Sequence, residues 1–175
     1  MNKKRFGMIA KDILLLLLLI LGDQISKYCA VHFLKGKDSM ILIPDILQLT
    51  YLENRGAAFG MMQNQKIFFV FVSIIVLGII GYILLKAPLQ KKYNKLHLAL
   101  VFISGGAIGN MIDRIRLNYV VDFIYFSFIH FPIFNVADIY VTIASCYLIF
   151  LLCFVYKEHD LNFISIKPKH YREIK

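Results

Sequence analysis

The sequence predicts an α-helical integral membrane protein with four transmembrane helices, both termini cytoplasmic, and a small extracytoplasmic β-sheet and loop cradle. Three observations predict it. Of the 175 residues, 59% are hydrophobic and the mean hydropathy is +0.66, whereas soluble domains hold about 45–50% apolar residues. Apolar runs of membrane-spanning length recur along the chain. Basic residues gather in alternate segments between those runs. The length fits one domain, residues 1–175, without repeats, low-complexity tracts or linkers.

The first span is expected at about residues 12–33. The N-terminus, "MNKKRFGMIAKDILLLLLLILGDQ", is patterned like a signal peptide, with basic residues before an apolar core. It has no small-x-small cleavage pattern after Leu21, so it reads as a retained anchor. The run Ile13–Leu21 is too short to span unless the helix continues through "GDQISKYCAVHF". That continuation places Asp23, Gln24, Ser26 and Lys27 inside the membrane. Further spans are expected at about 67–85 ("IFFVFVSIIVLGIIGYILL"), 96–112 ("LHLALVFISGGAIGNMI") and 136–156. Between the first two, "MILIPDILQLTYL" is rich in β-formers, and Leu47, Leu49 and Tyr51 alternate with Gln48, Thr50 and Leu52. "YVVDFIYF", Tyr119–Phe126, has the same β-branched and aromatic character. The tail 157–175 is polar and expected at the cytoplasmic surface.

Orientation follows from the cations. Lys3, Lys4, Arg5 and Lys11 precede or open the first span; Lys86, Lys91, Lys92 and Lys95 join the second to the third; Lys157, Lys167, Lys169, Arg172 and Lys175 follow the last. These thirteen of the twenty Lys and Arg residues mark the cytoplasmic side. The net charge of +9 then reflects topology and attraction to anionic lipid, and nucleic acid is not an expected partner. Cys29, Cys146 and Cys153 lie in apolar runs without ligand spacing, so no metal is expected, and Cys146 and Cys153, one heptad apart, read as small core residues.

Four acidic residues fall near the outer membrane face: Asp23, Asp113, Asp122 and Asp138. A charge deep in a span costs at least about 2.5–3.5 kcal/mol, so each needs a partner or a task. Asp23 has Lys27 four residues on, the favourable order for a helical ion pair. Asp113 and Arg114 end "GGAIGNMIDRIR", whose Gly105, Gly106, Ala107 and Gly109 form a face for close helix packing. That string lacks GxGxxG spacing and a Lys-Ser/Thr end, which excludes a phosphate loop. Asp122 sits among apolar neighbours that imply partial burial and a raised pKa. Asp138 follows Asn135 at capping-box spacing, so a purely structural role is open to it.

The pair carries more information than either member. If the outer loop folds back, Asp122 and Asp138 meet at one membrane face. Two carboxylates in contact share a proton, and their titration belongs to the pair. One can act as base on water while the other donates to a carbonyl oxygen. Other nucleophiles are poorly placed: the histidines share no motif, and no serine lies in a GxSxG turn. His130, in the outer loop, reads as structural or interfacial.

"GDQISKY", "ENRGAAFG", "GGAIGNMIDR", "VVDF" and "FNVAD" follow one another in order. With this set the chain resembles the bacterial lipoprotein signal peptidases (signal peptidase II) from about residue 8 to about 156. The resemblance implies an intramembrane aspartic endopeptidase that removes the signal peptide of prolipoproteins on the amino side of the diacylglyceryl-modified cysteine. It implies Asp122 and Asp138 as the catalytic pair. It also implies substrate-binding or supporting roles for Asp23, Lys27, Asn54, Gly56, Asn110, Arg114, Asn135 and Ala137, with Asp113 supporting the fold. Two departures are Ile139, where many members carry Ser, and Ala144, where Gly is common. The implied partners are prolipoproteins and the bilayer, with cyclic depsipeptide inhibitors of the globomycin type at the active site. No cofactor and no metal are implied, and a monomer is expected. The loop "NRGAAFGMMQNQK" reads as a lid, with Met61 and Met62 as alternative lipid anchors. A small proton-coupled transporter also fits four spans with intramembrane Asp and Lys. A structural subunit would leave the aspartates without a task.

Overall fold

The computed structural model describes residues 3–56 and 62–164. Helix α1 runs over Lys3–Leu34, starting about nine residues before the expected span. No proline interrupts it, and it stops where Gly36 turns left-handed at φ 74°, with Lys37 N–H donating to Leu34 O at 3.1 Å. Strands β1 (Met40–Ile43) and β2 (Leu47–Asn54) follow. The expected single strand is thus a hairpin, because Pro44 and Asp45 (φ 59°) turn the chain midway. Helix α2 is Lys66–Lys86 and ends before Ala87-Pro88, with Ala87 extended at ψ 137°. Helix α3, Asn94–Leu117, closes on left-handed Asn118 at φ 67°. Strand β3 is Val120–Phe126, and helix α4 is Val136–Phe150, extended by a π-helical turn over Leu151–Val155.

Among the described residues, three helical segments are long and apolar enough to cross a membrane: Lys66–Lys86, Lys91–Leu117 and Val136–Val155. Their outward faces are hydrophobic, with Ile67, Phe71, Ile143 and Phe154 all exposed, as a surface facing lipid would be. Helix α3 is the most enclosed of these segments and packs against α1, α2 and α4.

The three strands form one antiparallel sheet in the order β1-β2-β3. Val121 and Phe123 of β3 pack with Ala30 and Leu34 at the end of α1, which anchors the sheet to the helices. A second core, around Tyr93, Leu96, Leu100 and Leu151, lies at the other end.

Cys146 and Cys153 differ from expectation. Cys29, Cys146 and Cys153 are all exposed, on the outer faces of α1, α4 and the π-helical turn. In helices apolar on every side, sequence position does not separate a core face from a lipid face. Five of the thirteen residues of the expected lid, 57–61 with Met61 among them, lie outside the described residues, as does the tail from residue 165.

Candidate active site

Asp122 and Asp138 line one cavity of about 490 Å³ between α3, α4 and β3. A local fold-back brings the segments that carry them to this cavity. Phe134 bridges Ile124, with Phe134 N–H donating to Ile124 O at 3.0 Å and Ile124 N–H donating to Phe134 O at 2.8 Å. That pairing lays Asn135 beside Asp122. Asn135 then opens α4 as its N-cap. Its Oδ1 accepts from Asp138 N–H at 3.0 Å, and Asp138 Oδ2 accepts from Asn135 N–H at 3.2 Å, so both halves of the capping box form.

Amides connect the two carboxylates. Asn135 Nδ2 donates to Asp122 Oδ1 at 2.6 Å and to Asn110 Oδ1 at 3.1 Å. Asn110 Nδ2 donates to Asp138 Oδ1 at 2.8 Å. Asn54, at the end of β2, donates to Asp122 Oδ2 at 2.8 Å and accepts from Gly56 N–H at 3.0 Å. Arg114 Nη2 donates to Gly56 O at 3.2 Å, and its guanidinium lies 4.7 Å from the Phe69 ring centre.

A second set of charges lies on the far side of Asn110. Lys27 Nζ contacts Asp23 Oδ2 at 2.9 Å, Asp113 Oδ2 at 3.1 Å and Asn110 Oδ1 at 2.9 Å. All three charged groups are buried. Asp23 Oδ1 accepts from Ala137 N–H at 3.0 Å, and Asp113 Oδ2 accepts from Val121 N–H at 3.1 Å. The network thus ties α1 to α3, and ties both to the segments that carry Asp138 and Asp122. Close approach requires the glycines of α3. A Cβ on Gly109 would meet the Asp23 carboxylate, and one on Gly106 would meet the Ala137 carbonyl.

The ten residues expected at the site therefore come together. Asn54, Gly56, Asn110, Arg114, Asp122 and Asp138 line the cavity. Asp23, Lys27, Asn135 and Ala137 bind its walls to each other. Sequence reasoning missed Gln24 as a member. Its Nε2 donates to Asp23 Oδ2 at 3.1 Å and Asp113 Oδ1 at 3.0 Å. Its signal was available, since it is a polar residue inside a predicted span. Sequence reasoning also missed the apolar lining from Phe131, Pro132, Ile139 and Ile143. Among the described residues no cluster of three His, Cys, Asp or Glu side chains is arranged to hold a metal ion.

Asp122 is only 1% exposed. Burial, and then the nearby charge of Asp138, push its carboxyl up from 3.8 to about 7, against the amide hydrogen bonds of Asn54 and Asn135. Asp138 instead accepts a backbone N–H and an amide in a first helical turn. Two carboxyls in such different settings can divide acid and base roles.

Apolar outward-facing helices around a cavity lined by two carboxylates define a multi-pass membrane protein. Comparison with known proteins makes the class specific. The chain belongs to the signal peptidase II family: the family model described as "Signal peptidase (SPase) II" matches residues 15–154. It is 46% identical over 133 residues to a lipoprotein signal peptidase of Caldanaerobacter subterraneus subsp. tengcongensis, covering 75% of this chain and 88% of that protein. It is 45% identical over 148 residues to a lipoprotein signal peptidase of Streptococcus pyogenes serotype M1, covering 85% and 94%. The fold is similar to two structures described as bacterial membrane enzymes solved by the in meso method. One has a TM-score of 0.73 at 32% identity, covering 91% of this chain and 94% of the other. The second has 0.72 at 34%, covering 85% and 96%. The chain is accordingly a membrane-embedded peptidase.

Proposed function

We propose that this peptidase is an intramembrane aspartic endopeptidase. It removes the signal peptide from prolipoproteins on the amino side of the diacylglyceryl-modified cysteine. The observation that carries the reading is the placement of Asp122 and Asp138 on one cavity, both hydrogen-bonded to Asn135. The names of the relatives support the substrate class.

In the proposed reaction Asp138 is the carboxylate base and Asp122 the protonated acid. Asp138 takes a proton from water, whose oxygen attacks the scissile carbonyl carbon. Asp122 gives its proton to the carbonyl oxygen. The tetrahedral intermediate collapses as Asp138 returns its proton to the leaving amine, and Asp122 recovers its own from the collapsing hydroxyl. Asn110 and Asn135 hold the carboxyls in register, so little reorganisation is needed during reaction. The apolar lining from Phe131, Ile139 and Ile143 suits the signal helix beside the scissile bond.

The proposed topology has four spans in a single membrane-embedded domain. Helix α1, at 32 residues, extends about 48 Å at 1.5 Å per residue, enough for a bilayer core of about 30 Å. Both termini lie in the cytoplasm of a bacterial inner membrane, and the aspartates face the extracytoplasmic side, where the substrate's lipid resides. The enzyme acts as a monomer. Cyclic depsipeptides of the globomycin type occupy the same cavity and compete with substrate.

The test is cleavage by purified protein of a lipid-modified preprolipoprotein and of its unmodified form. Asp122→Asn and Asp138→Asn are each expected to lower the rate by about 10²–10⁴. Undiminished cleavage in either variant rejects the dyad, and equal cutting of the unmodified form rejects the lipid requirement. Proton-linked uptake into liposomes without cleavage identifies a transporter instead.

A further inference from the structure

The opposite end of the bundle holds a cavity of its own. It measures about 470 Å³ and lies between the first turns of α1 and the start of α3. His97 in its lining precedes Asn110 on α3 by thirteen residues, about 20 Å at 1.5 Å per residue, so this cavity is separate from that of the aspartates. Four lysines line it, Lys3, Lys4 and Lys11 from α1 and Lys91 from the turn before α3, with Asp12 the one acidic residue. No ion pair engages Lys3, Lys11 or Lys91 among the described residues.

Asp12 is already committed. Its Oδ2 lies 2.6 Å from His97 Nδ1, and a carboxylate only accepts, so Nδ1 carries the hydrogen. The His97 side chain is only 4% exposed, and its other nitrogen, Nε2, is buried without a partner among the described residues. Buried ring nitrogens are ordinarily paired, so Nε2 is an unused hydrogen-bonding group on a residue that lines this cationic cavity. Asn94 and His97 belong to the first turn of α3, where the positive end of the helix dipole adds to the lysines. Leu89 and Leu98, also in the lining, are partly exposed on the membrane-facing surface.

We infer that this cavity binds the phosphate of an anionic membrane lipid, with the headgroup among the lysines and its glycerol backbone along Leu89 and Leu98. His97 Nε2 supplies a further hydrogen-bonding position for the headgroup while Asp12 holds Nδ1. Apolar helix ends beside the cavity give a lipid direct lateral access, which a soluble phosphate does not need. The site is independent of the peptidase reading.

The experiment titrates the full-length protein in neutral detergent with phosphatidylglycerol, phosphatidylcholine or inorganic phosphate. Binding is followed by native mass spectrometry and melting temperature. Phosphatidylglycerol is expected to bind as one tight copy and raise the melting temperature, and phosphatidylcholine to do neither. Replacing Lys3, Lys11 and Lys91 together by Gln should weaken binding about a hundredfold, near fivefold for each cation. His97→Asn keeps a donor for Asp12 and deletes the group at Nε2. It should weaken binding at least about tenfold and leave the lipid-free melting temperature and the peptidase rate unchanged. Unchanged affinity in His97→Asn, with loss only in the lysine variant, overturns the site in favour of diffuse surface charge. Equal binding of the two lipids overturns the anion preference. Equal affinity for inorganic phosphate overturns the lipid as its source.

Discussion

Asn135 donates its side-chain amide to Asp122 Oδ1 at 2.6 Å. The same side chain caps α4 by accepting from Asp138 N–H. One residue therefore sets the position of one aspartate through its nitrogen and of the other through its oxygen. These two duties separate by substitution. Serine is as good an N-cap as asparagine, but it is too short to reach Asp122. Asn135→Ser should keep the cap, lose about 1–3 kcal/mol from the buried acceptors it strands, and cut the cleavage rate by about 10² through misplacement of the pair. Asn135→Ala should lose the cap as well, about 1 kcal/mol of stability. Full cleavage by Asn135→Ser refutes the positioning role.

The raised pKa of Asp122 gives a signed pH dependence. The carboxyl titrates at about 7 in the fold and at 3.8 when free. Between those values the folded chain keeps a proton that the unfolded chain has released. Stability from this group therefore falls as pH rises from about 3.8 to about 7 and is level above that window. The melting temperature of the wild type minus that of Asp122→Asn should be more favourable to the wild type at pH 4 than at pH 8. Cleavage should lose its proton donor above pH 7, giving an alkaline limb in the rate profile. A flat difference in melting temperature would contradict the burial of this carboxyl.

These sites were legible in the sequence to different degrees. The apolar runs located α2, α3 and α4, and alternation around Leu49 and Tyr51 located β2, because both signals are local. Asn135 and Asp138 were legible as a cap for the same reason. Asp122 and Asp138 were legible as a candidate pair only on the condition that the outer loop folds back; the Ile124–Phe134 bridge that makes this fold-back leaves no local signature. The pairs Asp12–His97 and Lys27–Asp113 join residues more than eighty positions apart, so no spacing rule reaches them. The early start of α1 was hidden because Lys3, Lys4 and Arg5 are good helix formers that carry no apolar periodicity.

Lys27 is the buried cation between Asp23 and Asp113. Removing one partner of a buried ion pair leaves an uncompensated charge and costs about 3–5 kcal/mol. Lys27→Met should lower the melting temperature sharply and reduce the yield of folded protein. Lys27→Met combined with Asp113→Asn should recover part of the loss, because one of the stranded charges is gone. A double-mutant cycle on melting measures the coupling. Strictly additive losses would show that the contact between Lys27 and Asp113 has no energetic weight.

The glycines of α3 and α2 allow a matched comparison. An added Cβ meets the Asp23 carboxylate at Gly109 and the Ala137 carbonyl at Gly106, whereas at Gly78 nothing lies within 4 Å. Backbone and a buried, ion-paired carboxylate cannot yield as the tip of a flexible side chain can. Gly106→Ala and Gly109→Ala should therefore each cost about 1–3 kcal/mol by forcing α3 away from α4 or α1. Asn110 follows Gly109 directly and donates to Asp138, so the same displacement should lower cleavage. Gly78→Ala, on the outward face of α2, should leave the rate unchanged and raise the melting temperature slightly, by about 0.5–1 kcal/mol of helix propensity. All three variants present the same added methyl, so equal melting behaviour would mean that close helix approach at Gly106 and Gly109 does not hold the aspartates in place.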